Sequence, residues 1–137
     1  MTIVNSAAIT SPGFGSPYVV SRLAVALSTT GEGTTTIPAT GALSPTLRTG
    51  IVNIKIFSGT GTSPTVTRVH INATDGTTTE EVFEYNPSTA FALASAKVLH
   101  LRVEILLDIN ATSLNVLTTL GGTGPGATLD VELAYEP

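Results

Sequence analysis

Apolar residues in this chain recur at every second position far more often than at helical spacing, and that period predicts β-strands. The longest run is 97–109. It sets Leu99, Leu101, Val103, Ile105, Leu107 and Ile109 on one face and His100, Arg102, Glu104 and Asp108 on the other. Residues 51–58 repeat the pattern, with Val52, Ile54 and Ile56 opposite Ile51, Asn53, Lys55 and Phe57. Residues 127–135 turn Leu129, Val131, Leu133 and Tyr135 inward, against Thr128, Asp130 and Glu132. Residues 18–28 alternate as well. Val19, Ser21, Leu23, Val25 and Leu27 form the face expected to be buried, opposite Tyr18, Val20, Arg22, Ala24 and Ala26. In 65–72, Thr67, Val69 and Ile71 share a face opposed by Val66, Arg68, His70 and Asn72. Shorter strands are expected at Thr34–Ile37, where Pro38 ends the pairing, and at 113–118.

Gly, Pro, Asn and Asp punctuate these runs. Residues 1–17, with Ser6, Ser11, Pro12, Gly13, Gly15, Ser16 and Pro17, read as an N-terminal arm. Residues 39–50, 59–64 and 121–126 read as loops. Asp75-Gly76 lies between two β-rich runs, 65–72 and 79–85. That dipeptide predicts a hairpin through a type I′ turn, which needs positive φ at both central residues. Asn86-Pro87-Ser88 is placed to cap a turn or two of helix through Ala90–Ala96. The sum is about eight short strands and an all-β fold. An antiparallel β-sandwich of jelly-roll type is expected first, and an immunoglobulin-like Greek key second. The antibody-type Cys…Trp…Cys core is excluded, because the chain holds neither residue. The domain division is an arm at 1–17 and a single sandwich at 18–137.

Composition narrows the function classes. A length of 137 residues fits one domain. Charged residues make up 12%, against about 25% in ordinary domains. The six basic residues, Arg22, Arg48, Lys55, Arg68, Lys97 and Arg102, are scattered singly in a chain of net charge −4. Nucleic-acid and anionic-membrane surfaces need clustered cations, so neither partner is expected. The absence of cysteine excludes disulfides, thiolate catalysis and Cys-ligated zinc. The start Met1-Thr2-Ile3-Val4-Asn5-Ser6 has no basic segment followed by an apolar one, so no signal peptide is expected and synthesis in a host cytoplasm is the default.

Few residues offer chemistry. His70 and His100 are the only imidazoles, each at mid-strand on the wetter face. A His100–Asp130 pair would need neighbouring strands. Glu80, Glu81 and Glu84 cluster beside the hairpin, and a glycosidase would need two such carboxylates facing one cleft. Asp75 with Glu80 supplies two carboxylates for a calcium loop without the EF-hand pattern. Asn72-Ala73-Thr74 and Asn110-Ala111-Thr112 fit the glycosylation sequon, and neither Gly-rich segment matches a phosphate loop. On the outer faces, Arg102 and Glu104 are expected to meet Asp130 and Glu132 across strands. No catalytic, cofactor-binding or metal-ligating residue is assigned, no cofactor is expected, and the chain is not expected to be an enzyme.

A Cys-free β-domain rich in Thr, Ser, Gly and Ala, with few charges and a Pro/Gly/Ser arm before its first strand, resembles the small decoration or cement proteins that stud tailed-phage capsids. The resemblance is one of character over the whole chain. It implies a β-sandwich or jelly roll, a homotrimer, the major capsid protein as partner, a place in the virion, and stabilisation of the shell without chemistry. The alternative is a carbohydrate-binding or adhesin-type sandwich module, for example of a phage fibre. The shortage of aromatics speaks against it; an exposed Tyr18 or Tyr85 beside a groove would speak for it.

Overall fold

The computed structural model describes residues 4–5, 17–27, 31–58, 63–93, 97–123 and 126–137. Their strands are β1 (Val4–Asn5), β2 (Tyr18–Leu27), β3 (Gly31–Ile37), β4 (Leu47–Ser58), β5 (Ser63–Thr74), β6 (Thr79–Tyr85), β7 (Phe91–Ala92), β8 (Val98–Ala111), β9 (Ser113–Thr123) and β10 (Ala127–Glu136). One sheet runs β1-β2-β10-β4-β8 and the other β3-β9-β5-β6, with β7 also paired to β5. Every pairing is antiparallel except the two-residue β1–β2 ladder, which is parallel. The chain passes from sheet to sheet at each step except β1–β2, the β5–β6 hairpin and β6–β7. That connectivity, with the strand orders β2-β10-β4-β8 and β3-β9-β5-β6, is a jelly roll.

The alternation read from the sequence builds the core. Val52, Ile54 and Ile56 of β4 are fully buried, as are Leu129, Val131, Leu133 and Tyr135 of β10. On β8, Leu99, Val103, Ile105 and Leu107 are buried, while Leu101 and Ile109 pack against the core from its margin. From the facing sheet come Val66, Val69, Ile71, Leu114, Val116 and Leu120. Each fully buried side chain of this size contributes about 1.5–3 kcal/mol.

Register shifts decide which residues of the outer strands face in. In β2, Val131 lies opposite Arg22 and Leu129 opposite Val25, so two residues, Leu23 and Ala24, oppose Asp130 alone. This bulge turns the pleat over. Before it, Tyr18, Val20 and Arg22 share the inward side; after it, Val25 and Leu27 do. Val19 and Ser21 are fully buried as expected, although on the side of the sheet away from the core, and Leu23, expected to be buried with them, is 49% exposed. Arg22 lies at the sheet edge and reaches the opposite sheet, where its guanidinium donates to the carbonyl of Thr36 at 3.2 Å. Ala24 has φ +57°, and its N–H donates to Oδ1 of Asp130 at 2.8 Å. A second bulge at Thr67 sends Val66 inward in its place.

Further expectations change. Residues 47–50, read as loop, begin β4, and the strand over 113–118 extends to Thr123. Phe91–Ala92 form a strand against Thr65 and Val66, where a helical turn was expected; residues 94–96 of that expectation lie outside the described residues. The hairpin forms where Asp75-Gly76 predicts it, but not by a type I′ turn. Thr74 pairs with Thr79 around a four-residue loop in which Gly76 alone has positive φ, +97°. Oδ1 of Asp75 accepts from the N–H groups of Thr77 (2.8 Å) and Thr78 (2.6 Å), and these bonds hold its carboxyl below the usual range. Of the expected arm 1–17, Val4–Asn5 form β1 and Pro17 precedes β2; the rest lies outside the described residues.

Tyr135 closes one end of the core. Its ring sits 5.7 Å from that of Tyr18, and the neighbouring Gly50 leaves it room, since a Cβ there would lie 3.0 Å from Cβ of Tyr135. The Tyr135 hydroxyl is buried with no hydrogen-bond partner among the described residues. Burial, with Tyr18 beside it, pushes its ionisation up to about 12 from 10.0.

Two outcomes follow. Ala24→Gly removes a left-handed side-chain conflict, so the urea midpoint should rise by the equivalent of about 0.5–1 kcal/mol with no change in slope. Tyr135 favours its neutral form more when folded than when unfolded. Its contribution is therefore complete below pH 10 and is lost as pH rises towards 12. Urea titrations across that range should show a steeper alkaline loss in the wild type than in Tyr135→Phe.

Candidate functional site

The most connected polar cluster lies on the outer face of the β3-β9-β5-β6 sheet. Arg68 and His70 sit two residues apart on β5 and so share that face. Glu84 of β6 lies opposite His70, and Glu32 reaches across β9 from the edge strand β3. The Arg68 guanidinium binds the Glu84 carboxylate, with Nε at 2.7 Å, and approaches Glu32 at 4.0 Å. Nε2 of His70 lies 3.1 Å from Oε2 of Glu32. Further along β3, the Thr36 hydroxyl donates to Oδ1 of Asn115 on β9 at 2.8 Å.

The chemistry of this chain of charges is limited. A His–carboxylate pair can act as a base, but among the described residues none of its hydrogen bonds reaches a hydroxyl nucleophile. The two glutamates keep 44% and 41% of their side-chain surface exposed. Exposed pairs of this kind are worth about 0.2–1 kcal/mol each. Their effect is to tie strands β3, β5 and β6 together over β9, which fixes register. Arg68 and His70 at period-2 spacing were visible in the sequence. Glu32 was not, because only the strand order carries it to β5.

The other candidates separate. His100 and Asp130 are not neighbours: β4 runs between their strands, and Lys55 is the cross-strand partner of both. Asn53 stands likewise between Arg102 and Glu132, so the expected cross-strand charge pairs are replaced by a two-strand gap. The Asp130 carboxylate serves the Ala24 bulge instead. Glu80 pairs with buried Ala73, while Glu81 and Glu84 pair with the outward Asn72 and His70; a bulge at Val82 separates them. Glu80 thus points to the sandwich edge, where its Oε1 accepts from the N–H of Asp108 at 3.2 Å. The carboxylates face no common cleft, and Asp75 and Glu80 are each engaged elsewhere. Among the described residues no group of three His, Asp or Glu is placed to hold a metal. Tyr18 and Tyr85 are half-buried against the core and offer no open ring platform.

Two concavities lie among the described residues. One, of about 130 Å³, opens between β2 and β3 and is lined by Val25, Leu27, Gly33, Thr35, Thr118 and Leu120. The Thr118 hydroxyl is buried there without a partner among the described residues. The other, about 270 Å³, lies beside Tyr135 over Pro17, Thr49, Gly50, Ile51, Ala134 and Glu136. Both fall below the roughly 300–1,000 Å³ of ordinary ligand pockets. The first exists because glycine occupies inward positions of β3: a Cβ at Gly33 would meet no atom within 4 Å.

No family model and no curated protein matches the sequence. Among solved structures, the chain is similar to part of dimeric latent PorU from Porphyromonas gingivalis, at 11% identity and a TM-score of 0.45, over 94% of this chain and 14% of that one. A likeness of this degree assigns no function.

Gly33→Ala places a methyl in open space and reduces the freedom of the unfolded chain. It is expected to raise stability by about 0.5–1 kcal/mol in chemical denaturation.

Proposed function

We propose that this protein is a non-enzymatic virion structural protein, a capsid decoration protein that stabilises the shell through contacts with the major capsid protein. The observation that carries this reading is β1. Val4 and Asn5, from the N-terminal arm, lie in parallel register on Val20 and Ser21 at the edge of a sheet. Here the arm adds a strand to its own sheet; the same mode, in which backbone hydrogen bonds supply affinity and no special side chains are needed, would let it dock on a neighbouring subunit. An arm of that kind suits docking on a repeating protein shell. The polar clusters support the same reading, since each engaged charge stabilises a bulge, a turn or a register.

The test is cosedimentation of the purified protein with undecorated shells of the cognate major capsid protein. Saturable binding at a fixed subunit ratio, with a raised temperature of shell disruption, is the expected result. Deleting residues 1–16 should reduce the binding. Failure to bind shells would sink the proposal, and retention on a glycan array in its place would favour the carbohydrate-binding alternative.

A further inference from the structure

β8 is the longest strand, at 14 residues, and it ends its sheet. One side pairs with β4. Along the other side, the hydrogen bond from the Asp108 N–H to Glu80 engages a single backbone group among the described residues. Val98 to Leu107 contain no proline, and their ladder with β4 is regular from Val98 to Leu106. Edge strands are normally protected by shortness, bulges, proline, charged side chains or cover, and among the described residues this stretch has only the charged side chains of Arg102 and Glu104. It also carries Leu106, 78% exposed, and Val98, 40% exposed.

We propose that this edge pairs with the same edge of a second copy, antiparallel about a two-fold axis through Val103. The charge pattern selects both the occupant and the register. Directly opposed residues in an antiparallel pair share a face. With the axis at Val103, Arg102 faces the partner's Glu104 and Glu104 faces the partner's Arg102. On the inner face, Leu101 meets the partner's Ile105 and Leu99 meets the partner's Leu107, so the two apolar cores become continuous. Moving the axis to Arg102 sets Arg102 against the partner's Arg102, and moving it to Glu104 sets two glutamates together. An axis at Ile105 would put Asp108 opposite Arg102 inside the ladder, where Glu80 already holds its N–H; with the axis at Val103 Asp108 falls only at the last pair, opposite Val98. The contact is isologous, so it closes at two copies and does not propagate.

The dimer goes beyond the virion reading and does not depend on it. It also departs from the trimer that the resemblance implies, so stoichiometry decides between them. Light scattering after size-exclusion chromatography at low salt should give twice 14.0 kDa for the full chain. Arg102→Glu and Glu104→Arg should each weaken the dimer by about tenfold or more, since each sets like charges opposite one another twice. The double variant Arg102→Glu/Glu104→Arg should restore it. Both residues are exposed, so the singles should keep the wild-type fold by circular dichroism. The chain has no cysteine, so Val103→Cys should form one intermolecular disulfide on mild oxidation. A monomer at 100 μM (on the order of typical weak-dimer constants), a trimer, or singles that dimerise as well as the wild type would each overturn the proposal. Shell binding by a protein that stays monomeric would overturn the dimer and leave the virion reading intact.

Discussion

The molecule depends on two apolar sheet faces closing over one another. β4 and β10 lie side by side in one sheet, and their inward residues from Val52 to Ile56 and from Leu129 to Tyr135 are wholly removed from water. Everything at the periphery is adjusted to keep that layer filled. The bulge at Leu23–Ala24 turns Val25 and Leu27 inward, and the bulge at Thr67 does the same for Val66. The polar groups that hold these adjustments, such as the Asp130 carboxylate on the Ala24 N–H, are committed to the fold. Where the layer is imperfect, at Gly33 and Thr118, the defect is a cavity too small for an ordinary ligand.

A closed sandwich leaves its strand edges as the remaining source of unpaired backbone. In this chain the two ends of the larger sheet are treated differently. The β2 end receives β1 from the same chain, and among the described residues the β8 end receives one carboxylate. Both proposals place interaction at these edges, the virion reading through the arm and the self-pairing of β8 through the opposite edge.

Much of this fold was legible in the sequence because alternation with period two reports directly on burial. The runs at 51–58, 97–109 and 127–135 keep their predicted faces, since each lies in a regular ladder or makes its excursion near an end. The run at 18–28 keeps its expected inward face only from Val25 on, because a single extra residue at a bulge sets the earlier residues in the opposite phase. That extra residue has no local signature: Ala24 is an ordinary alanine, held at positive φ by a carboxylate 106 residues away. The hairpin at Asp75-Gly76 was predicted in place but not in type, since the Asp75 side chain forms the turn with its own downstream N–H groups.

The candidate chemistry was legible only as a set of residue types. By itself the sequence determined the all-β class and most of the core, because these follow from local spacing. The tertiary structure alone decided that Glu32 joins Arg68 and His70, that His100 and Asp130 are parted by Lys55, and that β8 stands at an edge. Strand order sets all three, and strand order is fixed by how the two sheets close, which no local pattern encodes.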